Sequence, residues 1–157
     1  MLKIKILAIG SIKKDYFKNA IDDYLKRLSV YAKITIEELK SEPFFENSDI
    51  NKIKILEGER VTKHLKKYSQ DRIVLLHEKS HEMNSLDFSE FIHEDNQGEL
   101  IFVIGGALGL SQDLLDYPGA KKLSLSQMTF PHEMARLVLF EQIYRAIAIE
   151  KNKKYHY

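Results

Sequence analysis

The residues best suited to do chemistry fall into two loops in the second half of the chain. Leu100-Ile101-Phe102-Val103-Ile104 runs straight into Gly105-Gly106-Ala107-Leu108-Gly109, and a little further on Leu123-Ser124-Leu125-Ser126-Gln127-Met128-Thr129-Phe130 leads into Pro131-His132. Each apolar run reads as a strand that ends in a loop, and each loop opens a helix. In an open α/β sheet, ligands bind in the crevice at the carboxyl ends of the strands. The glycines let main chain come close to a ligand, and Pro131 prepares the first turn of a helix with His132 just inside it. Two such loops so near each other in sequence point to one cofactor pocket. The chain has no G-x-x-x-x-G-K-[ST] phosphate loop. Gly105-Gly106-x-x-Gly109 also departs from the G-x-G-x-x-G spacing of dinucleotide sites, which leaves a tight strand-to-helix turn as its plain alternative.

Three other constellations carry reactive groups. His77-Glu78-Lys79-Ser80-His81 spells H-E-x-x-H, which in zinc hydrolases puts two imidazoles on one helical face with a glutamate beside the zinc-bound water. Here the motif follows the strand-like Ile73-Val74-Leu75-Leu76, and Asn84-Ser85 reads as the start of the next helix, so a looped backbone separates the two histidines. His93 and Glu94 are the nearest further ligands. His132, Arg136, Phe140 and Tyr144 form a stripe at four-residue steps along the last helix, where the helix N-terminus lowers the imidazole pKa. Glu141 and Arg145 have the spacing of an intrahelical ion pair. The tail Lys151-Asn152-Lys153-Lys154-Tyr155-His156-Tyr157 mixes cations with aromatics. Such groups meet phosphates and stack on bases, although a solvated end is the ordinary reading.

The elements that must position these groups alternate. Leu2 to Ile9 reads as a strand. Phe17, Ala20, Ile21, Tyr24, Leu25 and Leu28 mark one face of an amphipathic helix, and Ile34 to Leu39 is a second strand. A loop with Pro43 follows, then a helix capped by Ser48 or Asp49 that runs through Ile53, Leu56, Val61 and Leu65 despite Gly58. Arg72 to Leu76 is a short buried strand. Ser85 is expected to cap the helix of Leu86, Phe88, Phe91 and Ile92. After the glycine loop come a short helix from Ser111, a strand near Leu123–Leu125, and a last helix begun by Pro131. That helix is apolar nearly all round, which points to a partner subunit. The expected architecture is a single α/β domain over residues 1–157, a mostly parallel sheet flanked by helices.

Composition narrows the function classes. The 157 residues suffice for a real core, and 44% hydrophobic with 30% charged residues is globular rather than disordered. No apolar run approaches the ~20 residues of a membrane span, and no signal-peptide profile opens the chain. The absence of cysteine excludes disulfides, thiol nucleophiles and thiolate metal sites, and suits the cytoplasm. A net charge of +1 gives no global attraction to nucleic acid, which leaves local patches such as Lys13-Lys14 and the tail.

Taken in order, the motifs resemble the ribosomal large subunit methyltransferase H family: Ile104-Gly105-Gly106-x-x-Gly109, then Leu123 to Arg136 with Met128-Thr129-Phe130-Pro131-His132, then Glu141-Gln142-x-Tyr144-Arg145-Ala146 and the terminal Tyr155-His156. Lys5-Ile6-Leu7-Ala8-Ile9-Gly10 and Tyr24-x-x-Arg27-Leu28 extend the likeness to the other end. The resemblance implies a SPOUT-class α/β fold with a C-terminal trefoil knot and a homodimer. It also implies S-adenosylmethionine as methyl donor without a metal, and methylation of N3 of a pseudouridine in 23S ribosomal RNA on the assembled 70S ribosome. The cofactor residues it implies are Leu76, Gly105, Gly106 and Leu125, Ser126, Gln127, Met128, Thr129 and Phe130. His132, Arg136 and His156 are the candidate catalytic residues, with His156 acting from the partner's tail, and Lys153, Lys154, Tyr155 and His156 are the candidate RNA contacts. Gly106→Val is then expected to abolish cofactor binding by filling the ligand's space. One departure stands out: the family tail carries a basic residue after Tyr-His where this sequence has Tyr157, so Lys153 and Lys154 would have to compensate. Two rival readings remain, a catalytically silent RNA- or ribosome-binding module of the same fold and a zinc hydrolase on His77, Glu78 and His81.

Overall fold

Five short runs, two of them wholly apolar, produce a five-stranded sheet. The structure, a computed structural model, describes residues 1–94 and 98–157. The strands are β1 (Leu2–Ile9), β2 (Ala32–Leu39), β3 (Ile73–Leu76), β4 (Leu100–Ile104) and β5 (Lys121–Leu123). Their order across the sheet is β2-β1-β4-β3-β5, and every pairing is parallel. Their carboxyl ends therefore share one edge, and β3, β4 and β5 deliver their loops side by side there.

The two-residue period of the strands divides the core between the two faces of the sheet. Leu2, Ile4, Ile6 and Ala8 of β1, with Leu100, Phe102 and Ile104 of β4, pack against α1 (Asp15–Leu28), α3 (Ser85–His93) and α5 (His132–Glu150). Leu7, Ile9, Ile101 and Val103 face the other way, against α2 (Ile50–Leu65) and the one-turn α4 (Gln112–Leu115). The almost continuous apolar sequences of β1 and β4 follow from this double burial.

Helix starts obey local chemistry. The Asp49 carboxylate accepts the Lys52 amide at 3.1 Å, and Ser111 Oγ accepts the Leu114 amide at 3.3 Å. The cap of α3 is Asn84 rather than the expected Ser85: Asn84 Oδ1 takes the amides of Leu86 and Asp87, both at 2.9 Å. Ser85 Oγ instead donates to Gln142 Oε1 on α5. The last strand ends at Leu123, two residues earlier than expected, because Ser124 turns away to bond a neighbouring loop. Arg136, Leu139, Phe140, Ile143, Ala146 and Ile147 of α5 are buried within the chain between α1 and α3, so much of its apolar character is met internally. Met134, Leu137, Val138 and Ile149 remain half-exposed.

Gly58, a weak helix former in the middle of α2, sits where α2 meets α4. A Cβ there would lie 2.4 Å from Ser111 Oγ, the hydroxyl that caps α4. Alanine ordinarily gains about 1 kcal/mol over glycine in a helix. Gly58→Ala should instead lower stability by about 1–3 kcal/mol through overpacking, and the loss should shrink in a Ser111→Ala background. Urea unfolding of the single and double variants checks this. A stabilised Gly58→Ala would show that the close approach costs nothing.

Candidate active site

Three loops meet at the carboxyl edge of the sheet. After β3 the chain forms a tight turn, with the Ser80 amide on the His77 carbonyl at 3.0 Å. This turn is tied to the segment after β5: the His77 amide donates to Leu123 O at 3.0 Å and the Ser124 amide to His81 O at 2.8 Å. The buried Ser124 hydroxyl reaches the carbonyls of Glu78 (3.0 Å) and Ser126 (2.9 Å). Ser126 Oγ in turn accepts the Met128 amide at 3.0 Å. Beside the segment after β3 lies the loop after β4, closed by the Gly109 amide on Gly106 O at 3.1 Å, with Gly109 at φ +81°.

The loops enclose a half-open cleft of about 210 Å³. Leu76, Gly105, Gly106, Leu125, Ser126, Met128, Thr129, Phe130 and His132 line it. Gln127 is exposed and is absent from that lining. His77 and Glu78 also line it, while His81 stands exposed outside it. The H-E-x-x-H segment is thus a turn, as its position after a strand suggests, and does not put its histidines on one helical face. Leu76, Leu125 and Phe130 give the cleft apolar walls beside the main chain of the glycine loop.

His132 is the first residue of α5, after Pro131 as N-cap. Burial pushes its pKa below the ordinary histidine value, with Glu133 opposing and Arg136 and Lys13 adding to the shift. Its Nδ1 is buried and without a hydrogen-bond partner among the described residues. The residue lines the cleft, while this unpartnered nitrogen is turned away from solvent. Arg136, one turn further, points elsewhere. It is 1% exposed, its Nη1 pairs with the Glu38 carboxylate on β2, and its Nη2 donates to Gly10 O at 3.0 Å. Arg136 therefore ties α5 to the end of β1 and does not line the cleft. The neighbouring Glu133 accepts the Lys13 and Lys14 amides and so seats the N-terminus of α1.

The tail is also anchored rather than frayed. Tyr155 packs edge-on against Tyr144, its ring centroid 4.8 Å away, under the Arg145 guanidinium. Its hydroxyl reaches Glu141 Oε1 at 3.3 Å. Burial first, then hydrogen bonding with Tyr24, pushes the Tyr155 pKa up to about 12. Glu141 and Arg145 form the expected ion pair at 2.6 Å. Lys153 bonds the Tyr31 hydroxyl and covers its ring, while Lys154 is exposed. His156 stands 3.5 Å from Arg145, in a groove beside α3 that Leu125 separates from the cleft of its own chain.

One buried group escaped the sequence reading. Glu57 of α2 is 3% exposed, its Oε1 accepts the Glu42 amide at 2.9 Å, and its Oε2 is buried without a partner. Burial raises its pKa, with the Glu42 amide and Arg60 working against the shift. Its signal was a carboxylate inside the four-residue apolar stripe Ile53, Glu57, Val61, Leu65. Glu57 lies directly behind the glycine loop. A Cβ on Gly106 would come within 3.1 Å of Ile9 Cγ2 and 3.2 Å of Glu57 Oε2.

Sequence and structure comparisons give the chain its family and support its fold. The profile of the family described as Predicted SPOUT methyltransferase matches residues 2–156. A protein named Ribosomal RNA large subunit methyltransferase H from Carboxydothermus hydrogenoformans is 41% identical over 162 residues, covering 99% of both chains. Its namesake from Kosmotoga olearia is 42% identical over 161 residues, covering 99% of this chain and all of the relative. A solved structure described as a probable methylase family protein from Haemophilus influenzae superposes with a TM-score of 0.58 at 14% identity. It covers 100% of this chain and 72% of that one, which supports the fold alone. The class defined by fold and sequence is the SPOUT methyltransferases. Within it, the chain belongs to the ribosomal RNA large subunit methyltransferase H family.

The direction of the Gly106 Cβ corrects one expectation. A side chain at this position meets Ile9 and Glu57 behind the loop instead of filling the cleft, so its first effect is on packing. Gly106→Val should lower stability by about 1–3 kcal/mol without any ligand present, measured by denaturant unfolding. Wild-type stability combined with lost cofactor affinity would restore the cleft-filling explanation.

Proposed function

We propose that the protein is an S-adenosylmethionine-dependent methyltransferase acting as a homodimer in the cytoplasm. It methylates N3 of a pseudouridine in 23S ribosomal RNA on the assembled 70S ribosome. The observation that carries this reading is the single cleft at the carboxyl ends of β3, β4 and β5. Its lining includes Leu76, Gly105, Gly106, Leu125, Ser126, Met128, Thr129 and Phe130, eight of the nine residues attributed to the cofactor by resemblance. The shared name of the relatives supports the substrate, large-subunit ribosomal RNA. The interlocked segments after β3 and β5 are in keeping with a trefoil knot, and the half-exposed Leu137 and Val138 of α5 are in keeping with a partner subunit. Among the described residues no helix is long and apolar enough to cross a membrane.

When bound, S-adenosylmethionine supplies a methyl group already activated by its sulfonium, so the protein needs no nucleophile of its own. The N3–C bond forms as the S–C bond breaks, and the N3 proton must leave to a base. The apolar walls exclude water and the loop main chain fixes orientation, which delivers the effective-concentration part of the acceleration. His132, a cleft-lining imidazole whose pKa burial lowers, is one candidate for the base. His156 is the other. Separated from its own cleft by Leu125, it serves that role from the tail of the second copy, where Lys153, Lys154 and Tyr155 accompany it at the RNA.

The test is transfer of labelled methyl from S-adenosylmethionine to ribosomes lacking the modification, with free subunits alongside. Label is expected at a pseudouridine N3 in the assembled particle only. Cofactor binding without transfer to any particle would favour the silent RNA-binding module. Removal of Tyr155–Tyr157 should cut transfer at least about tenfold and leave cofactor affinity unchanged. Unchanged turnover would reduce the tail to a structural end.

A further inference from the structure

Lys54 belongs to α2, an element outside the three loops that form the cleft, yet it is part of the cleft lining. Among the lining residues Lys54 is the one lysine or arginine and Glu78 the one carboxylate. The Lys54 ammonium has no hydrogen bond or ion pair among the described residues, and the residue as a whole is half-buried. Glu57, one turn further along α2, is spaced to pair with it. Instead Glu57 turns beneath Gly106 and bonds the Glu42 amide, which leaves Lys54 to the cleft. Lys54, His77 and Leu110 are shared with an adjoining polar cavity that also contains Asn51, Lys79 and Ser111. Lys54 thus stands where apolar walls give way to a polar opening. An elongated ligand with a heteroaromatic base at one end and an amino acid at the other matches that gradient.

We propose that Lys54 is the anion-binding residue of the cleft and seats the carboxylate at the methionine end of S-adenosylmethionine. Glu57 acts through the loop as a positioning residue, holding the 41–43 segment by the Glu42 amide and backing Gly106. This assignment rests on the cofactor reading given above. An ammonium without a partner on the wall of a cleft gains a charge-assisted hydrogen bond when a carboxylate arrives, an interaction stronger than a neutral one.

Calorimetry of wild type, Lys54→Ala and Lys54→Arg with two ligands tests the assignment. S-adenosylhomocysteine has the amino-acid end, and 5′-methylthioadenosine keeps the adenosine and sulfur without it. Lys54→Ala should weaken S-adenosylhomocysteine about tenfold or more and leave methylthioadenosine within about twofold, while Lys54→Arg recovers most of the affinity. Equal losses for both ligands, or a loss for neither, overturn the assignment. If Lys54→Ala leaves both unchanged but weakens ribosome binding, Lys54 contacts an RNA phosphate and the carboxylate role is wrong. Wild type that binds neither ligand contradicts the cofactor reading itself, a separate failure. An unchanged melting temperature for Lys54→Ala shows that the fold is intact.

Discussion

The cleft depends on a small set of hydrogen bonds that lock the chain after β5 onto the chain after β3. The His77 and Ser124 amides and the Ser124 hydroxyl join two segments that are far apart in sequence. Ser124 is buried, so a lost partner there costs about 1–3 kcal/mol of unsatisfied polar group. With both segments fixed, Leu76 and Leu125 line one cleft with the glycine loop, and the helix that follows Pro131 delivers His132 to it. Parallel pairing supplies the remainder, since it puts the ends of β3, β4 and β5 at one edge.

Behind that edge, two charged groups hold the supporting elements. Arg136 ties α5 to Gly10 and Glu38, and Glu57 braces the glycine loop against the 41–43 segment. Both are nearly inaccessible to water, where a charge is costly unless well partnered. Arg136 is mostly satisfied. Glu57 meets one amide and keeps one oxygen idle, and burial raises its pKa. The glycines at 105 and 106 answer the same crowding. A Cβ on Gly105 would come within 3.0 Å of the Gly109 backbone, and one on Gly106 would press on Glu57.

Much of this was legible in the residues. Alternation at the start of β1 and the unbroken apolar run of β4 mark these strands, the glycine loop announces a site after β4, and Pro131-His132 announces the helix at its rim. Local periodicity says nothing about which strands lie side by side, so the meeting of His77 with Leu123 was out of reach without the resemblance. The direction of a side chain on a helix that is apolar all round was equally hidden. Arg136 shares a sequence stripe with His132 but serves the core, and Gln127 sits among cleft residues but faces solvent. Asn84 displaced Ser85 as a cap because the Ser85 hydroxyl had a better partner in Gln142, a contact across two helices. Lys54 and Glu57 belong to the site through tertiary packing, and only the polar interruption of an apolar stripe hinted at the second.

The central claim is that the loops after β3, β4 and β5 form the cofactor site. A crystal structure with S-adenosylhomocysteine tests it most directly. The account predicts the adenosine between Leu76 and the 125–130 segment, against the main chain of Gly105–Gly109, with His132 at the rim. Ligand bound at another surface, with this cleft unchanged and empty, would contradict it.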